Sequence, residues 1–289
     1  MSLLTVVGET GSGKSSLVLE IAKRLNGEII NADSTTFRRG LDIGTAKPSP
    51  EEREQIRHHL IDIIEPTTVF TVYDYKRLVL ETINKIEKRH KLPILVGGSG
   101  LYINSVIYDY NFVEYFNRQS LYQKLNGMSL KELQDMIIAK GYDISKVDPL
   151  NSRRLVSFIL NKGQITTRSK LLPGVVVIGL AIPRIQLQQR VIERVDTMLQ
   201  NGLEDEVKQL KSKLGLAFNQ INVIGYKEWD QYLIGKETKS EVRSKIINHT
   251  LQLAKKQRTW FKQNNDIIWV NYNTQVDSIV ELITTAFSN

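Results

Sequence analysis

The chain has 289 residues, of which 41% are hydrophobic, so it is large enough to bury a sizeable core. It contains no cysteine, which excludes disulfides and cysteine-ligated metals, and the spacing of its four histidines does not suggest zinc. With neither a signal peptide nor a run of about 18 apolar residues, we expect a cytoplasmic protein without membrane contact. The formal net charge of +8 favours a polyanionic partner.

The first predicted elements are a short strand over residues 3–7, a glycine-rich loop and a helix over residues 15–25. The loop has a glycine, four residues and then Gly-Lys-Ser, a pattern that binds phosphate between a strand and a helix. Its backbone N–H groups and lysine attract phosphate oxygens, and its serine hydroxyl can hold Mg²⁺. The predicted phosphate ligands are Gly8, Glu9, Thr10, Gly11, Ser12, Gly13, Lys14 and Ser15.

A second strand is predicted over residues 28–30, and Asp33 follows it. In a doubly wound sheet this position lies at the carboxyl end of a strand, where ligands bind, so Asp33 could act as a general base. Asp33 and Ser34 could equally form a turn or a helix cap. His58 and His59 are adjacent and point in different directions on any regular element, which favours a structural role over metal binding.

A third strand, over residues 93–96, ends in two glycines and Ser99. A nucleotide-hydrolysing enzyme of this class usually has a carboxylate there to hold magnesium. Asp62 is a weak substitute because the apolar run before it is short. The sequence therefore argues against a motor or switch ATPase.

Further strands are predicted over residues 175–182 and 267–270, alternating with helices. This alternation predicts an α/β fold, a P-loop-containing doubly wound parallel sheet. Residues 109–149 lack a strand-like run and are assigned to an inserted small helical lobe with soft boundaries. Residues 1–108 and 150–289 then form the core, with basic helices toward the C-terminus.

Two groups of basic residues are candidates for binding anions. Arg190 and Arg194 are four residues apart, so on a helix they share one face that could clamp a diphosphate or simply face solvent. The segment Lys239–Lys262 has seven basic residues against one acid. Its Lys255, Arg258 and Lys262, with Trp260 and Phe261 between them, suit an RNA backbone and its bases, although an amphipathic packing helix remains the alternative.

Seven strings of residues are specific when taken together: Asp33-Ser34, and residues 40–48, 58–63, 97–103, 190–198, 224–228 and 254–261. In these strings the chain closely resembles the bacterial tRNA dimethylallyltransferases, also called tRNA isopentenyltransferases. The resemblance covers nearly the whole chain and is weakest over residues 109–173.

The resemblance implies that the phosphate loop holds dimethylallyl diphosphate with Mg²⁺, for which Ser15 is the metal ligand. The exocyclic amine of the adenine 3′ of the anticodon in tRNA would attack the prenyl carbon, and no nucleoside triphosphate would be consumed. Asp33 would accept the proton of the amine. Lys14, Ser15 and Arg194, with Arg190 beside them, would stabilise the departing diphosphate.

Together with the basic helix, the resemblance also implies the residues that contact RNA. The predicted tRNA ligands are Asp33, Ser34, Thr35, Thr36, Ser99, Arg153, Arg154, Gly225, Tyr226, Lys227, Lys255 and Arg258. The expected partners are tRNA and dimethylallyl diphosphate, and the expected state is a monomer.

The chain departs from the family pattern at a few positions. Glu9 replaces a proline of the phosphate loop, Thr36 replaces a glutamine that helps to hold the target base, and Ser99 replaces a threonine but keeps the hydroxyl. The second arginine and the acid of a further family motif are lost at Ser157 and Leu160. We expect the chemistry to be retained and the choice of target, or the affinity for it, to differ.

Two other functions compete with prenyl transfer. A small-molecule or nucleotide kinase would explain the loop and the fold, but neither the basic segment nor the string over residues 40–47. A nucleic-acid-binding protein whose loop only senses a ligand would not need Asp33 beside a phosphate site.

Overall fold

The structure is a computed structural model, and it describes residues 2–113, 118–167 and 169–288. Contacts divide the chain into two units. The first consists of Met1–Thr68, Leu78–Ile103 and Pro173–Asn289, and the second of Val69–Arg77 and Asn104–Leu172. None of the described helices is both long enough and apolar enough to cross a membrane.

The first unit is built on a six-stranded sheet in which every neighbouring pair is parallel. The strands are β1 (Leu3–Gly8), β2 (Gly27–Asn31), β3 (His58–His59), β4 (Leu92–Gly97), β5 (Val175–Ala181) and β6 (Ile267–Asn271), in the order β3-β2-β4-β1-β5-β6. The predicted fold class is confirmed. The strand β3 was not predicted, because two residues show no periodicity.

Both units contain helices. In chain order they are α1 (Lys14–Arg24), α2 (Pro50–Gln55), α3 (Val72–Glu87), α4 (Gly100–Ile107), α5 (Arg118–Asn126), α6 (Leu130–Ala139), α7 (Ser152–Leu160), α8 (Arg184–Gln200), α9 (Leu203–Leu214), α10 (Lys239–Lys262) and α11 (Val276–Ser288). The long α10 begins in a capping box, in which Thr238 and Glu241 satisfy each other's backbone N–H groups.

The core of the first unit lies on both faces of the sheet. β1 is buried along its whole length, and its branched apolar side chains pack with those of β4 and β5 and with α1 and α11. Strands covered on both faces read as continuous apolar runs, which is why this part of the sheet could be predicted.

The core of the second unit is formed by α5, α6 and α7. Leu125, Leu133, Leu155 and Phe158 are among the buried residues. The lobe expected over residues 109–149 lies within this unit. The unit continues through α7 because that helix places its apolar face against α5 and α6.

Candidate active site

The phosphate loop leaves the carboxyl end of β1 and enters α1 at Lys14. Gly11 and Gly13 have left-handed φ angles of +79° and +96°, a conformation that favours glycine. A Cβ atom at Gly13 would also lie only 2.9 Å from Nη1 of Arg190. The glycines therefore let the loop turn and let the arginine approach it, which leaves the N-terminus of α1 available to an anion.

A cavity of about 850 Å³ opens at this end of the sheet. It brings together most of the residues predicted for the reaction: Thr10, Gly11, Ser12, Gly13, Lys14, Ser15, Asp33, Thr36, Arg190 and Arg194. This is the size of an ordinary small-molecule site. Residues far apart in the sequence thus line one space.

Lys14 is the central cation of the loop. Its Nζ donates to the backbone oxygen of Glu9 at 2.6 Å. Burial lowers its pKa from 10.5 to about 8; the Asp33 and Glu9 carboxylates act to raise that pKa, and Arg194 acts to lower it. Burial has removed part of the hydration of the Lys14 ammonium, so an anion that binds beside it stabilises its charged form.

The two arginines of α8 point into the same cavity but have different partners. Arg190 donates from Nη1 to the Ser12 oxygen at 2.9 Å, and its guanidinium lies 5.0 Å from the centre of the Tyr272 ring. Arg194 donates from Nη2 to the Thr45 oxygen at 3.1 Å. Burial lowers the pKa of Arg194, which nevertheless remains charged at neutral pH.

Asp33 lies two residues beyond β2, as predicted, and its carboxylate faces the cavity. Its Oδ1 accepts from the backbone N–H of Thr35 at 3.0 Å and from the Thr35 hydroxyl at 2.7 Å. This is the turn that the alternative interpretation required. The turn and the position in the cavity coexist, so the one does not exclude the other.

The segments that follow β2 and β4 are joined by serines. The backbone N–H of Ser34 donates to the Ser99 hydroxyl oxygen at 3.2 Å, and the Thr36 hydroxyl donates to the Asp33 backbone oxygen at 3.1 Å. Thr36 is buried. The retained hydroxyl at Ser99 therefore helps to hold the segment that carries Asp33.

The C-terminal part of α10 lies directly on the phosphate loop. Gln257 accepts the Thr10 backbone N–H at 2.8 Å through Oε1 and donates to the Gly98 oxygen at 3.1 Å through Nε2. The space for this helix exists because Gly98 and Gly100 lack side chains: a Cβ there would lie 2.3 Å from Gln257 and 2.2 Å from Trp260. Gln257 was not among the predicted site residues, because a single glutamine on a helix carries no distinctive signal.

The basic residues of α10 divide into two sets. Four of them are in ion pairs: Lys239 with Glu204, Arg243 with Asp196, Lys245 with Glu237 and Arg258 with Glu9. The other three, Lys255, Lys256 and Lys262, are exposed and form no ion pair within the described part of the chain. The positive charge available to a partner is thus concentrated at the end of the helix.

The aromatic residues expected beside these lysines differ in exposure. Trp260 is 43% exposed, whereas Phe261 is buried. The interpretation of Phe261 as a base-stacking residue was therefore wrong, since its helical position turns it toward the core. Trp260 keeps the exposure that stacking requires.

Two predicted RNA ligands lie beside the loop over residues 40–47. Tyr226 is fully buried and donates its hydroxyl to Glu206 at 2.5 Å. The neighbouring Gly225, also buried, has a left-handed φ of +99° and donates its N–H to Glu228 at 2.8 Å. Of the remaining predicted RNA ligands, Lys227, Arg153 and Arg154 are exposed.

Lys47 anchors the C-terminal end of the loop over residues 40–47. Its side chain is 2% exposed, and Nζ donates to Asp62 at 2.5 Å, Asp42 at 2.6 Å and the Arg38 backbone oxygen at 2.5 Å. Asp62 also accepts from Arg53 at 2.9 Å, so its carboxylate serves an ion-pair network.

The histidines have structural contacts. His59 bonds the buried Glu28 carboxylate at 2.6 Å, and His58 bonds the Ile56 backbone oxygen at 2.7 Å. Burial lowers the pKa of both histidines. The described residues contain no group of three or more histidines or acids that could hold a metal.

Comparisons with known proteins identify the family of the chain. A family model described as IPP transferase matches residues 37–264. A tRNA dimethylallyltransferase of Bacillus subtilis (strain 168) is 37% identical over 95% of this chain and 92% of its own length. One from Staphylococcus haemolyticus is 36% identical over 98% of this chain and 91% of its own length.

Solved structures give the same result. The full-length tRNA isopentenylpyrophosphate transferase from Bacillus halodurans superposes with a TM-score of 0.76 at 34% identity, covering 99% of this chain and 97% of that one. A eukaryotic dimethylallyltransferase acting on tRNA superposes with a TM-score of 0.77 at 25% identity, covering 100% of this chain and 79% of that one. The chain belongs to the tRNA dimethylallyltransferase, or IPP transferase, family.

Proposed function

We propose that the chain transfers a dimethylallyl group from dimethylallyl diphosphate to the exocyclic amine of the adenine 3′ of the anticodon in tRNA. Membership of the family supports the reaction class. The single observation that carries the assignment of residues is that Lys14, Arg194 and Asp33 line one cavity with the phosphate loop.

The leaving group of this reaction is the diphosphate. As the bond from the prenyl carbon to the diphosphate oxygen breaks, negative charge grows on that oxygen. Lys14, Arg190 and Arg194 and the loop N–H groups surround the place where this charge would develop. Fixed donors stabilise such charge more than water does, because they need not reorganise.

The nucleophile must lose a proton as the new carbon–nitrogen bond forms. We assign this role to Asp33, which lines the cavity beyond the carboxyl end of β2 and whose direction is fixed by the Thr35 bonds to Oδ1. A positioned general base of this kind typically contributes about 100-fold or more to the rate.

The residues present fit magnesium held mainly by the substrate. Ser15 is exposed at the cavity, and Mg²⁺ usually keeps several waters and binds through substrate phosphates and a few protein oxygens. The Ser12 hydroxyl is buried and without a hydrogen-bond partner among the residues described, as expected of a group completed by a bound phosphate. Mg²⁺ at Ser15 would neutralise part of the diphosphate charge.

For tRNA, we assign the backbone contacts to Lys255, Lys256 and Lys262, the exposed lysines at the end of α10. The target base would enter beside Ser34 and Ser99, whose hydrogen bond borders the Asp33 segment. The proposed working form is a monomer, and the proposed compartment is the cytoplasm, where bacterial tRNA is found.

One experiment tests the proposal directly. The protein is mixed with unmodified tRNA and labelled dimethylallyl diphosphate, and in parallel with ATP and candidate acceptors. Prenylated RNA supports the proposal. A phosphorylated product would identify a kinase, and the absence of both products would leave a binding protein.

A further inference from the structure

The loop assigned to the donor diphosphate contains a carboxylate, that of Glu9. The Glu9 side chain is 8% exposed. Its Oε1 accepts from Arg258 Nε at 2.5 Å, whereas Oε2 is buried and lacks a hydrogen-bond partner among the described residues. A buried carboxylate is costly unless it is paired, and here its charge also opposes that of a phosphate.

The Glu9 carboxylate lies close enough to Lys14, the central cation of the phosphate loop, to affect its pKa. Lys14 donates to the Glu9 backbone oxygen at 2.6 Å, and the Glu9 carboxylate acts to raise the Lys14 pKa. Glu9 is therefore close enough to influence any anion that binds at Lys14.

Arg258 is fixed in direction by the surrounding backbone. Its Nη2 donates to the Ile182 oxygen at 3.1 Å, and the preceding Gln257 is bound to Thr10 in the phosphate loop at 2.8 Å. The Arg258 side chain is 30% exposed, and its guanidinium is paired with the Glu9 carboxylate. Arg258 therefore binds a residue of the phosphate loop, whereas the exposed lysines nearby form no ion pair with the described residues.

We propose that Arg258 is a positioning residue of the donor site, which neutralises the Glu9 carboxylate and so allows a diphosphate to bind beside it. The inference rests on the proposed function, because it takes the donor to be a diphosphate. Without Arg258, the loop would present an uncompensated negative charge to the phosphates. The RNA backbone is then left to the exposed lysines of α10.

The test compares wild type, a single variant and a double variant by calorimetric binding of inorganic diphosphate with Mg²⁺. Arg258→Gln should weaken binding about 10-fold, which corresponds to about 1.4 kcal/mol. Glu9→Gln with Arg258→Gln should return the affinity to within about 3-fold of wild type, because the charge that needed neutralising is gone. Arg243→Gln is the matched control, since it breaks a guanidinium–carboxylate pair with Asp196 elsewhere on the same helix; it should leave the affinity unchanged.

A packing role for Arg258 predicts that the double variant binds as weakly as Arg258→Gln or more weakly. That result overturns the inference, and so does wild-type affinity in Arg258→Gln. Arg258→Lys, which keeps the charge, should retain more of the affinity, and unfolding midpoints identify any variant that has lost its fold. A wild-type protein that binds no diphosphate contradicts the proposed function instead. In turnover, Arg258→Gln should raise KM for the donor more than it lowers kcat.

Discussion

Tyr226 donates its hydroxyl to the Glu206 carboxylate at 2.5 Å, and the same carboxylate accepts the backbone N–H groups of residues 42–44 at 2.9–3.2 Å. The loop held in this way continues to Thr45, whose oxygen accepts from Arg194. Burial and the Glu206 charge raise the pKa of Tyr226, so the hydroxyl stays protonated as the donor. A carboxylate on α9 thus fixes a guanidinium of the donor site through one loop.

Tyr226→Phe should lower the free energy of unfolding by about 1–3 kcal/mol, because the half-buried Glu206 carboxylate loses a donor and the buried Gly44 N–H loses an acceptor. Diphosphate binding should weaken as well, since Arg194 is held less firmly. The matched control is Tyr232→Phe, which removes a 2.8 Å bond to Glu204 at a partly exposed site and should cost less than about 0.5 kcal/mol. Urea unfolding measures both variants, and equal losses would refute the special role of Tyr226.

Asp33→Asn should lower single-turnover prenyl transfer by about 100-fold or more, because the amide cannot accept the proton. Its oxygen can still accept from Thr35, so the turn and RNA binding should persist. Thr35→Val is the control: it removes the hydroxyl bond, keeps the carboxylate, and should have a much smaller effect. Near-normal turnover of Asp33→Asn at saturating donor and tRNA would restrict Asp33 to its role in the turn.

Lys14 should make donor binding depend on pH. Its pKa of about 8 means that raising the pH from about 7 to about 9 removes most of its charge, so the Kd of inorganic diphosphate should rise about 10-fold. Lys14→Arg is the control. Its side chain stays charged over this range, so any pH dependence that remains in this variant comes from the titration of diphosphate itself. Identical pH profiles for the two proteins would exclude Lys14 as the titrating group.

The lowered pKa of Lys14 also makes the free energy of unfolding depend on pH. The folded pKa of Lys14 lies below the unfolded value of 10.5, so between about pH 8 and pH 10.5 the unfolded chain binds more protons. The contribution of this residue to stability therefore increases with pH in that window. Lys14→Met should abolish that part of the slope in urea unfolding measured across the window.

The exposed lysines of α10 should carry the salt dependence of tRNA binding. Lys255→Gln with Lys262→Gln should make the slope of log affinity against log salt shallower by about 1–2 units, about one for each lost phosphate contact. Lys239→Gln with Lys245→Gln is the matched control, because both of these lysines are engaged in ion pairs. If both pairs of substitutions changed the slope equally, or neither did, the tRNA would be held elsewhere.

The sequence predicted those features of the fold that local patterns of residues determine. Apolar runs located five strands, the loop motif predicted a phosphate site at the carboxyl end of β1, and the position after a strand placed Asp33 among the residues that line the cavity. Contacts between distant residues could not be predicted in this way. Gln257 binds Thr10 across 247 residues, and Arg258 pairs with Glu9 across 249. On its helix Arg258 reads like any other basic residue, and only the fold shows that its partner is an acid in the phosphate loop.

The fit of α10 against Gly98 and Gly100 also bears on how the enzyme is made. The phosphate loop is synthesised 247 residues before the side chain that holds Thr10. While those intervening residues are being made, the nascent chain carries the loop without the helix that contacts it. A product that ends before α10 lacks the Gln257 contact that holds the phosphate loop.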